Sequence, residues 1–169
     1  MNTNRIISVV ACLLSLGYAA ISSQAQTDLN TRKAVYFTGA KTDSIDLKND
    51  VYVGSGTTLT ISYQLGTGCD KNVCKYNVGI IAIRTGTGAQ STDVVIHVDK
   101  GGSFTKTIEF APNEKIKQVI FPIKLALGKN QLTVAIDPNN KTAETDESNN
   151  RFAGTVMVTG AIGGTVLRH

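Results

Sequence analysis

The stretch Leu132-Thr-Val-Ala-Ile-Asp137-Pro138-Asn139-Asn140-Lys-Thr-Ala-Glu144-Thr-Asp146-Glu147-Ser-Asn149-Asn150 decides how the rest of the chain is read. Up to Ile136 apolar and polar residues alternate, the period-2 signature of a strand with one buried face. Asp137-Pro138 then ends the ladder, because proline fixes φ and donates no hydrogen bond, while an aspartate oxygen accepts turn N–H groups. An acidic loop follows, and Asn149-Asn150 stands directly before a second alternating run, Arg151 to Thr159. Strand, oxygen-rich bend and strand is the order expected at the corner of a small β-sandwich.

Working outward, nearly every segment after residue 30 shows the same period. Ala34 to Thr38 reads as a short strand. Thr58 to Leu65 alternates, with Leu59, Ile61, Tyr63 and Leu65 on its apolar face. Tyr76 to Arg84 and Asp93 to Asp99 flank Gly86-Thr-Gly88 and are expected to pair as a long hairpin. Phe104 to Phe110 alternates again. Lys117 to Leu127 and Gln131 to Asp137 surround the turn signal Leu127-Gly128-Lys129-Asn130. Pro122 places its strand at an edge or a bulge. About seven to nine strands without a helix predict an all-β, two-layer antiparallel sandwich, with a closed barrel as the alternative.

The N-terminus predicts export. Met1 to Arg5 is polar with one positive charge, Ile6 to Ile21 is apolar, and Ser23-Gln24-Ala25 offers small residues for cleavage after Ala25. A rival reading takes Val9-Val10-Ala11-Cys12 as a lipobox with Cys12 acylated. The apolar run is short for a membrane span. Residues 1–25 are therefore expected to be a signal peptide, 26–159 one domain and 160–169 a flexible Gly-rich tail. The mature chain is expected in the periplasm, on the cell surface or in the medium.

Composition narrows the function classes. The net charge of +4 arises from scattered basic residues without runs or interleaved aromatics, which argues against nucleic-acid binding. Cys69 and Cys74 lie in a Gly/Asp/Lys/Asn-rich stretch, and in an oxidising compartment they predict a local disulfide. Closing so short a loop contributes about 2 kcal/mol by chain entropy. His97 on a predicted strand and His169 in the tail are the two histidines. With no nucleophile elbow, zinc motif or phosphate loop, and with Gly54-Ser-Gly56 and Gly101-Gly102 reading as turns, the chain is not expected to be an enzyme.

The segment Gln131 to Asn139 leading to Glu144-x-x-Glu147-x-Asn149-Asn150 resembles the closing segment of the bacterial cell-adhesion-related domain, CARDB, an immunoglobulin-like sandwich. The likeness covers residues 125 to 158 and is weaker at Thr58 to Thr67; the Cys69–Cys74 loop and Thr85 to Ser91 look like additions. The resemblance implies a secreted or surface module, often one unit of a larger multidomain protein, without catalytic activity; the chain is expected to act as an exported adhesion or protein-interaction module that binds a protein or cell-surface component.

The residues leave other roles open at the corner. Asp137, Asn149 and Asn150 suit corner stabilisation through Asx turns and a bridge to a neighbouring strand. Asp137, Asn139, Glu144, Asp146 and Glu147 are the candidates for a calcium site, since hard cations take six to eight oxygens, although the spacing is not that of an EF-hand. No other cofactor is expected. Carbohydrate binding is the alternative partner class. The chain has no tryptophan, and of Tyr36, Tyr52, Tyr63 and Tyr76, Tyr63 falls on a core face and Tyr52 is the candidate exposed ring.

Overall fold

The computed structural model describes residues 27–160. The expected signal peptide, Cys12, His169 and the tail beyond Gly160 lie outside them. Ten strands account for most of the described chain: β1 (Leu29–Gly39), β2 (Val51–Gly54), β3 (Thr58–Ser62), β4 (Thr67–Asp70), β5 (Val73–Arg84), β6 (Gln90–Val98), β7 (Gly102–Phe110), β8 (Ile116–Ala126), β9 (Gly128–Ile136) and β10 (Arg151–Thr159). They form two open five-stranded sheets, not a barrel. In the first sheet β2, β1 and β5 follow in order, and β4 and β8 also pair with β5; the second has the order β3-β10-β9-β6-β7. All pairs are antiparallel except β3 with β10, which is parallel and departs from the purely antiparallel expectation.

The core lies between the sheets, built from the inward rows of each strand. From β5 come Tyr76, Val78, Ile80 and Ala82; from β8, Val119, Phe121, Ile123 and Leu125. The second sheet answers with Val94, Ile96 and Val98, Leu132, Val134 and Ile136, and Phe152, Val156 and Val158. Each fully buried Leu, Ile or Phe here contributes about 1.5–3 kcal/mol by leaving water. A smaller apolar cluster sits on the outside of the first sheet, where Ile45 from the β1–β2 loop covers Ala34, Tyr36, Ile81 and Ile120. Gly79 makes room for it: a Cβ there would lie 2.4 Å from Ile45 Cγ1.

Four readings from sequence are corrected. Two strands are shorter than their neighbours and were not anticipated, β2 in the expected Gly-rich turn and β4 beside the cysteines, which raises the count to ten. Thr58 to Leu65 is not one strand: it stops at Ser62, whose side chain caps a 3₁₀ turn over Tyr63–Leu65, and Leu65 is left 57% exposed. The predicted hairpin of Tyr76 to Arg84 with Asp93 to Asp99 does not form. Along β5, β1 and β4 occupy one side and β8 the other, so β6 pairs with β7 and β9 instead.

Arg84 makes that crossover. It is 2% exposed, its guanidinium donates to the carbonyls of Gly88, Ala111 and Glu114, and it lies 5.1 Å from the Phe110 ring centroid. A strand-ending arginine thus ties together the two loops that carry the chain between sheets. The last correction concerns Leu127 to Asn130, which is a change of sheet rather than a hairpin turn. β8 belongs to the first sheet and β9 to the second, and Gly128 takes φ +86 between them. Fully buried Asn130 accepts from Ala126 N–H and donates to the carbonyls of Ala126 and Gly128, replacing ladder bonds lost at the switch. Pro122 sits on β8, which pairs only with β5 among the described residues, so its missing N–H faces an open edge.

Candidate functional site

β9 and β10 pair in register from Ala135 opposite Arg151 to Gly128 opposite Val158, and the loop 137–150 joins them. Asp137 organises this loop. Its backbone takes φ +48, which aspartate tolerates better than most residues, and it is 2% exposed. Oδ1 accepts from Lys141 N–H at 3.0 Å and Oδ2 from Thr142 N–H at 2.7 Å, so both oxygens serve the loop backbone. Its own N–H donates to Asp93 O at 2.9 Å, which ties the bend to β6.

The second half of the loop reaches the start of the fold. Glu144 Oε2 accepts from Leu29 N–H at 2.7 Å, across 115 positions of sequence. Asn149 Nδ2 donates to the Asp28 carboxylate at 3.1 Å. Asp146 caps a 3₁₀ turn over Glu147–Asn150, accepting from Ser148 N–H at 2.9 Å and Ser148 Oγ at 2.6 Å. Those two bonds pull its carboxyl below the ordinary range. Asn150 Nδ2 donates to Glu147 Oε2 at 3.3 Å. Asn139 is exposed at the tip of the bend.

Three acceptors in this corner are buried without a hydrogen-bond donor: Glu144 Oε1, Asn149 Oδ1 and Asn150 Oδ1. Burial pushes the Glu144 carboxyl above its ordinary value, and the neighbouring charges of Glu147 and Asp137 push the same way; the Leu29 N–H and the Asn150 amide oppose them. Of the five calcium candidates, Glu144 and Glu147 meet around Asn150, Asp137 and Asp146 are bonded to loop groups, and Asn139 stands apart. Among the described residues no group of three or more His, Cys, Asp and Glu side chains is placed to hold a metal ion. Any cation here would have to draw on the amide oxygens.

The remaining candidates are dispersed. His97 is exposed on the outer face of the second sheet, and its Nδ1 lies 2.8 Å from Ser103 Oγ, its cross-strand neighbour on β7. No other hydrogen bond reaches the ring among the described residues, so the orienting carboxylate that a Ser–His pair needs for nucleophilic work is missing from it. Tyr36, Tyr63 and Tyr76 are 7%, 5% and 4% exposed; among the tyrosines of the described residues only Tyr52, at 58%, presents its ring to solvent, tilted 41° against Tyr36. Burial raises the Tyr76 hydroxyl to about 12. Cys69 and Cys74 form the disulfide, joining β4 to β5.

Two features were not read from sequence. One is the flank where, among the described residues, β7 and β8 each pair on one side only, with a cavity of about 810 Å³ lined by Ser91, Thr107, Ile108, Phe110, Lys117 and Gln118 between them. The other is a basin of about 560 Å³ at the disulfide end, lined by Lys71, Lys75, Lys100 and Lys124. Strand pairing between distant segments creates both, and no local motif announces them.

No family model matches the chain, and no curated protein does. Among solved structures it is similar to a CARDB domain from Pyrococcus furiosus, crystallised in complex with di-metal ions, with 16% identity over 80% of this chain and 90% of that one and a TM-score of 0.47. A solution structure of a CARDB domain from the same organism gives 15% identity over 79% of this chain and 95% of that one, with a TM-score of 0.45. The sandwich itself rests on the strands described above. No helix among the described residues is long and apolar enough to cross a membrane.

Proposed function

We propose that this chain is an exported, non-catalytic adhesion or protein-interaction module that receives an extended segment of a protein or cell-surface partner along β7. The observation that carries the reading is the unpaired outer edge of that strand. β7 is nine residues long, contains no proline and pairs only with β6 among the described residues. An open edge of this kind offers free N–H and C=O groups for strand addition. β8 on the same flank is a poorer acceptor of a strand because Pro122 interrupts its donors. The cavity beside Ile108 and Phe110 could seat a partner side chain.

Two adjacent substitutions test it, Lys106→Pro and Thr107→Pro. In an antiparallel pair one of two successive N–H groups bonds the neighbouring strand and the other faces away. The variant that keeps its melting temperature nearer the parent should lose a partner captured by the parent from the native envelope. Equal capture by that variant, or retention on a glycan array with no protein partner, overturns the proposal.

The orphaned oxygens of Glu144, Asn149 and Asn150 favour a second reading, a structural calcium site at the corner. Calcium should then raise the melting temperature and a chelator lower it. An unchanged melting temperature in both removes the metal.

A further inference from the structure

Four lysines from three separate parts of the fold line one basin. Lys71 lies in the β4–β5 turn with φ +52, Lys75 on β5, Lys124 on β8 and Lys100 in the β6–β7 turn. Lys75 and Lys124 are directly opposite each other across the ladder. Like charges in that position destabilise a sheet. The ion pairs of the described residues involve Lys41, Lys117 and Lys141, and none of the four basin lysines. Asp70 is the one carboxylate in the lining.

The frame around these ammonium groups is fixed. The Cys69–Cys74 disulfide closes the hairpin that carries Lys71, and Tyr63 Oη donates to Lys71 O at 3.2 Å. Lys100 Nζ donates to Lys129 O at 2.7 Å. Gly101 lets its turn lie against β8: a Cβ there would come within 2.2 Å of Lys124 O, a backbone atom that cannot swing away.

We infer that this basin binds an anion carrying several phosphate groups in series. Lysine holds phosphate as a point charge, and the basin is lined by lysines without an arginine. Several cations carried on one fixed backbone frame around a concavity match a multivalent anion, for which the electrostatic gain adds over contacts. The lining holds no aromatic ring on which a base could stack, which favours a bare phosphate chain over a nucleic acid. The basin adjoins the start of β7 at Lys100 and Gly101 but uses side-chain ammonium groups rather than the strand's edge, so tripolyphosphate binding and partner capture test the two proposals separately.

Calorimetric titration of the full chain with tripolyphosphate at low ionic strength tests the inference. Binding should weaken steeply with added salt, and by roughly tenfold or more in the double variant Lys75→Gln/Lys124→Gln. In about 0.1 M salt the control Arg151→Gln, an exposed charge opposite Ala135 at the far end of the β9–β10 ladder from Lys129, should bind within about twofold of the parent, as expected for a charge beyond the screening length. A second measurement, thermal melting, verifies that the double variant stays folded. No heat with tripolyphosphate, or equal affinity in the double variant, overturns the inference. So does tighter binding of a single-stranded oligonucleotide. Vesicles containing phosphatidylglycerol distinguish the source: binding to them without binding to tripolyphosphate overturns the soluble phosphate chain in favour of a lipid surface.

Discussion

The acidic corner and the lysine basin are opposite solutions to handling charge on one sandwich. At the corner, oxygens gather within a single loop, and the fold feeds them backbone N–H groups: Asp137 takes two from its own loop and Glu144 takes one from Leu29. In the basin, cations gather from turns and strands far apart in sequence, and the fold supplies no carboxylate bond to any of them. Around Asp137 the corner therefore reads as structure that its own hydrogen bonds explain, while Glu144 Oε1, Asn149 Oδ1 and Asn150 Oδ1 are the oxygens those bonds leave over. The basin reads as charge held ready for something else. Substitution at each place should give opposite signs of stability change.

The largest effect is expected at Asp137. Replacing it with alanine leaves two loop N–H groups without their acceptor and puts a Cβ residue without a local hydrogen bond at φ +48. The expected loss is about 2–4 kcal/mol, seen as a lower denaturant midpoint with an unchanged slope. Asp137→Asn keeps one acceptor and tolerates the backbone, so it should lose about half as much. A loss below about 0.5 kcal/mol for the alanine variant, the range of ordinary surface changes, would mean that the corner is not held by this side chain.

Next comes the disulfide on the basin side. The paired serine variant Cys69→Ser/Cys74→Ser should lose about 2 kcal/mol, the entropy of so short a closed loop. It should also weaken tripolyphosphate binding, because the hairpin bearing Lys71 loses its clamp. Unchanged affinity would show that the basin does not depend on that clamp.

A smaller effect separates a proton from a cation at the corner. The Glu144 carboxyl sits above its ordinary value because of burial. A carboxyl raised in the folded state binds its proton more tightly there than in the unfolded chain. Its stability contribution is thus complete below the unfolded pKa and disappears as pH rises through the folded one. Without calcium, stability should fall across that window, and Glu144→Gln should flatten the slope while keeping the acceptor for Leu29 N–H. A bound cation reverses the sign, since it needs the carboxylate ionised. Urea midpoints measured against pH, with and without calcium, decide between them.

Which parts of this were legible in the sequence follows from the range of the interactions. Arg151 to Thr159 was read with its observed bounds because its alternation and the Asn-Asn before it are local signals. Pro122 announced an edge for the same reason, a property of one residue's own N–H. The cysteine pair was readable from its spacing together with the expected oxidising compartment. The failures needed a partner to be known. Gly86-Thr-Gly88 looks like a hairpin turn, yet whether its strands pair depends on β1, β4 and β8 having filled both sides of β5. Arg84 looked like a strand end, and its role as a buried clamp appears only once the carbonyls of Gly88, Ala111 and Glu114 surround it. The lysines read as scattered because they are scattered along the chain; only the ladder brings Lys75 opposite Lys124.

The smallest effect tests the basin most directly. Lys124→Thr replaces one member of a like-charged cross-strand pair with a good strand former on an exposed face. Relief of the repulsion should raise stability by about 0.2–1 kcal/mol, the range of cross-strand pair energies, and the gain should shrink as salt screens it. The same substitution should weaken tripolyphosphate binding. A sheet more stable but poorer at holding the anion identifies the lysine pair as a functional cost. If Lys124→Thr instead lowers stability, the methylene stem of Lys124 is covering apolar surface, and the pair has a packing explanation after all.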